Sequence, residues 1–201
     1  MKTKVNVSID KRSLEFLYAV YFGKYDDPYE AASNRAYRDM NRTIRFNGVD
    51  PEKRKELKAQ VTKLLKDSIC AVLSATNLNQ TQYDKWHEDL CLQIINCYKK
   101  GSVVLTCGQA QKWVNMTMKY LYVIDEKMME PIFVFCHVPL DNYIFAYSEK
   151  YFGIKKPQKA WSRWCDYQKD YMAYQNALRK KIENESPLGW EFAAWVKVSK
   201  E

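Results

Sequence analysis

Apolar residues along this chain recur at intervals of three and four positions and seldom alternate, which predicts a succession of amphipathic helices. Asp27-Pro28-Tyr29-Glu30 joins an N-cap acid, a proline at the first helical position and a glutamate at the third. A helix is expected from there to about Phe46. Asp50-Pro51 repeats the cap-plus-proline signal, and Leu57, Val61, Leu64, Leu65, Ile69 and Val72 form one stripe of a long helix ending near Ala75. Thr81 with Asp84 resembles a capping box for the next helix, whose face carries Tyr83, Trp86, Leu90, Cys91, Ile94 and Tyr98. Lys99-Lys100-Gly101 closes that helix with two cations and a helix-stopping glycine.

Residues 102–107 are β-rich and short, compatible with a strand or with a buried connector. Helical spacing resumes over 109–123, with Ala110, Trp113, Val114, Thr117, Met118 and Leu121 on one face. Lys112, Asn115 and Lys119 share the adjacent face. A further helix is expected after Asp141, running to Gly153, and then a long aromatic one through Trp161, Trp164, Tyr167, Tyr171, Tyr174 and Leu178. Ser186-Pro187 starts a last helix bearing Trp190, Phe192 and Trp195. The prediction is an all-α fold, a compact bundle of roughly eight helices. It is expected to form a single helical domain over 1–201, with room for two lobes.

Composition narrows the function classes. The chain has 201 residues and is 47% hydrophobic, enough to build a core. Its 32 Lys and Arg against 24 Asp and Glu give a net charge of +8, which favours a polyanionic partner. The six cysteines stand singly in apolar segments with no CxxC pair, and read as reduced, buried thiols of a cytoplasmic protein. With only His87 and His137 and no ligand spacing, neither a metal nor a cofactor is expected. No apolar run reaches the length of a membrane span, so no membrane partner is expected.

Arg35, Arg38, Arg42 and Arg45 recur at helical spacing and offer four guanidiniums for phosphate contact, although a solvated face partly offset by Glu30 and Asp39 has the same pattern. The aromatic helix reads first as core, with an edge tyrosine or two left for a ligand. Lys112 after a short turn and Asp141 after Pro139-Leu140 have an ordinary reading as a solvated lysine and an N-cap. Their chemical reading is a desolvated amine able to attack a sugar carbon, with a carboxylate to support the developing positive charge.

The stretches "TCGQAQKWVNMTMKYLYVI" and "FCHVPLDNYIFAYSEKYFG" resemble the catalytic core of the helix-hairpin-helix DNA glycosylases, the 8-oxoguanine glycosylase branch in particular. The resemblance covers Gly108 to Gly153. It implies that Gly108 is a hairpin glycine against the DNA backbone, Lys112 the Schiff-base nucleophile and Asp141 the catalytic carboxylate. Lys119 is the alternative nucleophile or a further DNA contact. Ala110 stands where that family's second hairpin glycine would be, and Asn142-Tyr143 replaces a histidine-containing sequence after the aspartate. The implied activity is excision of a damaged or modified base from DNA. Two other classes fit the same residues: a helical module binding nucleic acid or a nucleotide without turnover, as in phage–host conflict, and a protein-interaction adaptor using the aromatic C-terminal helices.

Overall fold

The fold, seen in a computed structural model that describes residues 9–200, is all-helical, and no strand occurs among the described residues. Nine helices follow one another there: α1 Lys11–Phe22, α2 Pro28–Met40, α3 Pro51–Leu73, α4 Gln80–Lys100, α5 Cys107–Ile124, α6 Glu126–Phe133, α7 Asn142–Tyr147, α8 Ala173–Arg179 and α9 Pro187–Val198. The predicted proline starts hold. Asp27 accepts the Tyr29 and Glu30 amides at 3.0 and 3.2 Å, Asp50 accepts that of Glu52, and Ser186 that of Gly189. No helix among the described residues is long and apolar enough to cross a membrane.

Three boundaries depart from the periodicity, each for a visible reason. Helix α2 ends at Met40 instead of Phe46, in a tight turn over Asn41–Thr43. There the Thr43 hydroxyl donates to the Met40 carbonyl at 2.8 Å, and the Thr43 carbonyl accepts Gln109 Nε2 at 2.7 Å. Arg42 and Arg45 therefore leave the helix, and the four arginines do not form one continuous stripe. The cap of α4 is Asn79 with Gln82, not Thr81 with Asp84, because the Asp84 carboxylate is drawn to Arg179 and His137. The aromatic helix is also broken. Trp161–Arg163 forms an isolated turn, Trp164 is extended, and a wide turn over Tyr167–Met172 leads into α8.

Cys165, in that break, is exposed, and Cys70 and Cys97 are half-buried, so the reading of all six thiols as buried holds only for Cys91, Cys107 and Cys136. Residues 102–106 form a non-helical connector, with Val103 and Leu105 buried, and Cys107 already opens α5. Helices α1 and α6 have no counterpart in the expected series. Helix α1 buries Phe22 and packs Tyr18 against the core but leaves Phe16, Leu17 and Val20 exposed.

Helix α5 is the centre of the molecule. Every residue from Cys107 to Leu121 is buried, against α2 along most of its length and against α4 and α6. A helix enclosed all round is ordinarily apolar all round. This one carries Gln111, Lys112, Asn115 and Lys119 into the interior, and each must find a partner there.

Candidate functional site

Positions 112, 116, 119 and 123 share one face of α5, and Lys112, Met116, Lys119 and Val123 all line a cavity of about 650 Å³. Lys112 is 5% and Lys119 8% exposed, so each ammonium sits where it requires a counter-charge. Lys112 Nζ lies 2.9 Å from Asp141 Oδ2, and Lys119 Nζ lies 2.6 Å from Glu191 Oε2. Asp141 and Glu191 line the same cavity. The site thus holds two lysine–carboxylate pairs two helical turns apart.

Asp141 owes its place to two local features. Its Oδ1 caps α7, accepting the Tyr143 and Ile144 amides at 3.0 and 3.1 Å, which leaves Oδ2 for Lys112. The chain leading to it is clamped by Gln175, whose side chain accepts the Val138 amide at 3.2 Å and donates to the Val138 carbonyl at 2.6 Å. Glu191 comes from the second turn of α9 and is 1% exposed. Burial pushes its carboxyl above the usual range, and Lys119 opposes that most strongly. Lys119 Nζ also lies 4.8 Å from the Phe192 ring centre and 5.7 Å from that of Trp195.

The opposite wall is built from α1 and α2. Arg35 is bound to Asp39 at 3.0 Å and to the Tyr21 hydroxyl at 3.1 Å, and it stacks 4.2 Å over the Tyr21 ring. The Tyr120 hydroxyl donates to Asp39. Arg35 is therefore committed to the wall. Arg38 and Arg42 line the cavity as exposed cations. Around its lining, five cations face three carboxylates, a surplus that suits an anion. Trp161, Tyr143, Phe192 and Trp195 supply aromatic surface, with Tyr143 and Trp195 exposed and 5.4 Å apart between ring centres.

A buried polar network lies behind α5, and sequence reasoning assigned it no part. Asn115 Nδ2 donates to Gln111 Oε1 at 2.9 Å and to the Tyr171 hydroxyl at 2.8 Å, while Asn115 Oδ1 pairs with His87 Nε2 at 2.8 Å. The Tyr171 hydroxyl lies 2.7 Å from His137 Nδ1, and His137 Nε2 lies 2.8 Å from Asp84, which Arg179 grips with two nitrogens. Burial holds both imidazoles below the usual range, His137 at about 4. The network ties the helix of Lys112 to the segment 137–140 that delivers Asp141. The signal available beforehand was an amide at position 115 between apolar neighbours, beside a histidine four residues ahead of the aspartate.

Of the residues singled out from the sequence, Lys112, Asp141, Lys119, Arg35, Arg38 and Arg42 line one cavity, and Arg45 lies beside it. Gly108 is corrected. It sits in the first turn of α5, not in a hairpin; its amide is given to the Trp164 carbonyl at 3.1 Å, and a Cβ there would stand 1.7 Å from the Trp161 carbonyl oxygen. It is a packing glycine that lets the 161–164 turn close on α5, and its N–H is not available to a phosphate. No known protein family, curated protein or solved structure matches this chain.

Proposed function

We propose that the protein is a DNA glycosylase-like enzyme that takes a damaged or modified base out of the duplex and cleaves its glycosidic bond with Lys112 and Asp141. The observation that carries this reading is the 2.9 Å approach of Lys112 Nζ to Asp141 Oδ2 inside a cavity of about 650 Å³. That volume is in the range of small-molecule sites, and its aromatic lining suits an unstacked base. In the proposed step Asp141 takes a proton from the Lys112 ammonium, and the free amine attacks C1′ of the sugar. As the N–C1′ bond forms, the base leaves with the electron pair of the glycosidic bond and takes up a proton. The two protons left on the nitrogen depart, one to the leaving base and one to the ring oxygen as the sugar ring opens, and an imine on Lys112 results.

The test is incubation with duplexes carrying a panel of modified bases, followed by borohydride. A reduced covalent adduct is expected, and Lys112→Gln abolishes it in a protein whose circular dichroism shows it folded. Absence of both adduct and base release across the panel overturns the proposal. The exposed Arg38, Arg42 and Arg45 favour a second reading, binding of nucleic acid without turnover. In that case binding is steeply salt-dependent and persists in Lys112→Gln, and no adduct forms with the unmodified sequence.

A further inference from the structure

We infer that a second depression, beside the lysine–carboxylate cavity and joined to it through Arg42, is a phosphate-binding groove that carries a DNA strand away from the base pocket. The depression has a volume of about 710 Å³. Its rims come from two separate parts of the chain. Arg42 and Arg45 stand on the turn and extended segment after α2, and Arg163 stands on the turn after Trp161.

Three features make this a built site. The first is charge: Arg42, Arg45 and Arg163 converge on one depression whose lining holds no carboxylate. Among the described residues none of the three guanidiniums has an ion-pair or hydrogen-bond partner, in contrast to Arg35 and Arg179. Gathered cations repel one another, and a row of phosphates relieves that repulsion while matching the planar fork of each guanidinium.

The second is rigidity. Both rims are pinned by the capping box of α5. Gln109 Nε2 donates to the Thr43 carbonyl at 2.7 Å on one side, and Thr106 Oγ1 donates to the Ser162 carbonyl at 2.9 Å on the other. Thr106 and Gln109 also bind each other's amides, so their side chains are spent on structure and the arginines are left as the charged donors. The helix that carries Lys112 thereby fixes the groove relative to the cavity.

The third is continuity. Arg42 lines both hollows, so a ligand filling them together has one end at Lys112 and Asp141 and a chain of negative charge beyond. A free base or an isolated mononucleotide would occupy the first and leave the second empty. The groove is not legible as a unit in the sequence, because Arg163 is far from Arg42 along the chain and only the fold brings them to one depression.

The identity of the polyanion as DNA rests on the glycosylase reading; the phosphate groove does not. The test is fluorescence anisotropy of the full chain with a labelled single strand and the matching duplex, titrated at several salt concentrations. Arg45→Ala/Arg163→Ala, two residues outside the lysine–carboxylate cavity, should weaken binding at least about tenfold and reduce the duplex salt slope by about 2, near 0.9 for each phosphate that is no longer neutralised. Arg45→Lys/Arg163→Lys should restore the slope without the full affinity, because an ammonium lacks the two-pronged fit. Lys63→Ala/Lys85→Ala removes the same charge outside both hollows and should leave affinity within about twofold. An Arg45→Ala/Arg163→Ala protein that matches the parent in affinity and slope, or a control that loses as much, overturns the groove. A borohydride adduct on Lys112 together with such a result would leave the catalytic proposal standing alone. Loss of binding without any adduct would leave the groove standing alone.

Discussion

The ammonium of Lys112 and the carboxylate of Asp141 meet at 2.9 Å, with Asp141 giving one oxygen to the lysine and the other to the start of α7. Cap and counter-ion are thus the same residue, so the two roles require separate variants. Asp141→Asn retains a good N-cap and removes the charge. It leaves Lys112 buried without a counter-ion, which costs about 3 kcal/mol or more. Lys112→Met alone leaves Asp141 partly exposed and costs less. Combined, Lys112→Met/Asp141→Asn should recover most of the Asp141→Asn loss, a coupling of at least about 1.5 kcal/mol by urea denaturation. Additive single and double variants would show that the pair does not interact.

Behind that pair, the network running from Asn115 through Tyr171 to His137 and Asp84 predicts a response to acid. His137 is buried and holds its proton affinity at about 4, against an ordinary 6.5. Between those values the unfolded chain binds a proton that the folded one does not. Stability is therefore highest above about pH 6.5 and falls on acidification towards about pH 4, by up to roughly 3 kcal/mol from this group alone. His87 is shifted the same way and adds to the loss. Denaturation midpoints measured across that window should fall steeply for the parent protein. His137→Gln should start lower and fall less. A parent midpoint that is level from pH 6.5 to pH 4 would mean that these imidazoles are protonated without cost.

The helical class could be read ahead of the structure because it depends on local signals, whereas the lysine–aspartate pair, 29 residues apart, is expected only through the resemblance. Asp27-Pro28, Asp50-Pro51 and Ser186-Pro187 fix helix starts through neighbouring backbone, and positions 112 and 119 share a face by periodicity, whereas Asn115, expected beside them, turns into the network behind α5. What could not be read is whatever a distant side chain decides. Helix α2 stops early because Gln109 takes the Thr43 carbonyl, and the 161–164 turn leaves the helical path because Gly108 gives it room to lie against α5. Glu191 entered no expectation, since a single acid among the apolar positions of α9 becomes meaningful only once Lys119 stands opposite it. The aromatic residues divide similarly. Trp164 and Tyr171 are core, while Trp161, on the near side of the break, faces the cavity.

Lys119 and Glu191 supply the remaining prediction, because their pairing stands against the burial of the carboxylate. The Glu191 carboxyl already lies above its usual range through burial, and Lys119 is the largest influence pulling it back. In Lys119→Met that influence is gone and the carboxyl rises further. A folded-state value above the unfolded one means that the native protein retains a proton the unfolded chain has released. Stability then declines as pH rises from the ordinary carboxylate range towards the raised value, and stays low beyond it. The deficit of Lys119→Met relative to the parent should thus be small in the ordinary carboxylate range and grow as pH rises above it, reaching a few kcal/mol, about the usual cost of breaking a buried pair. Adding Glu191→Gln removes the titrating group, so Lys119→Met/Glu191→Gln should show a deficit that no longer changes with pH. Urea titrations of the three proteins across that range provide the measurement. A Lys119→Met deficit that is constant with pH would show that Glu191 is not held as a buried carboxylate by Lys119.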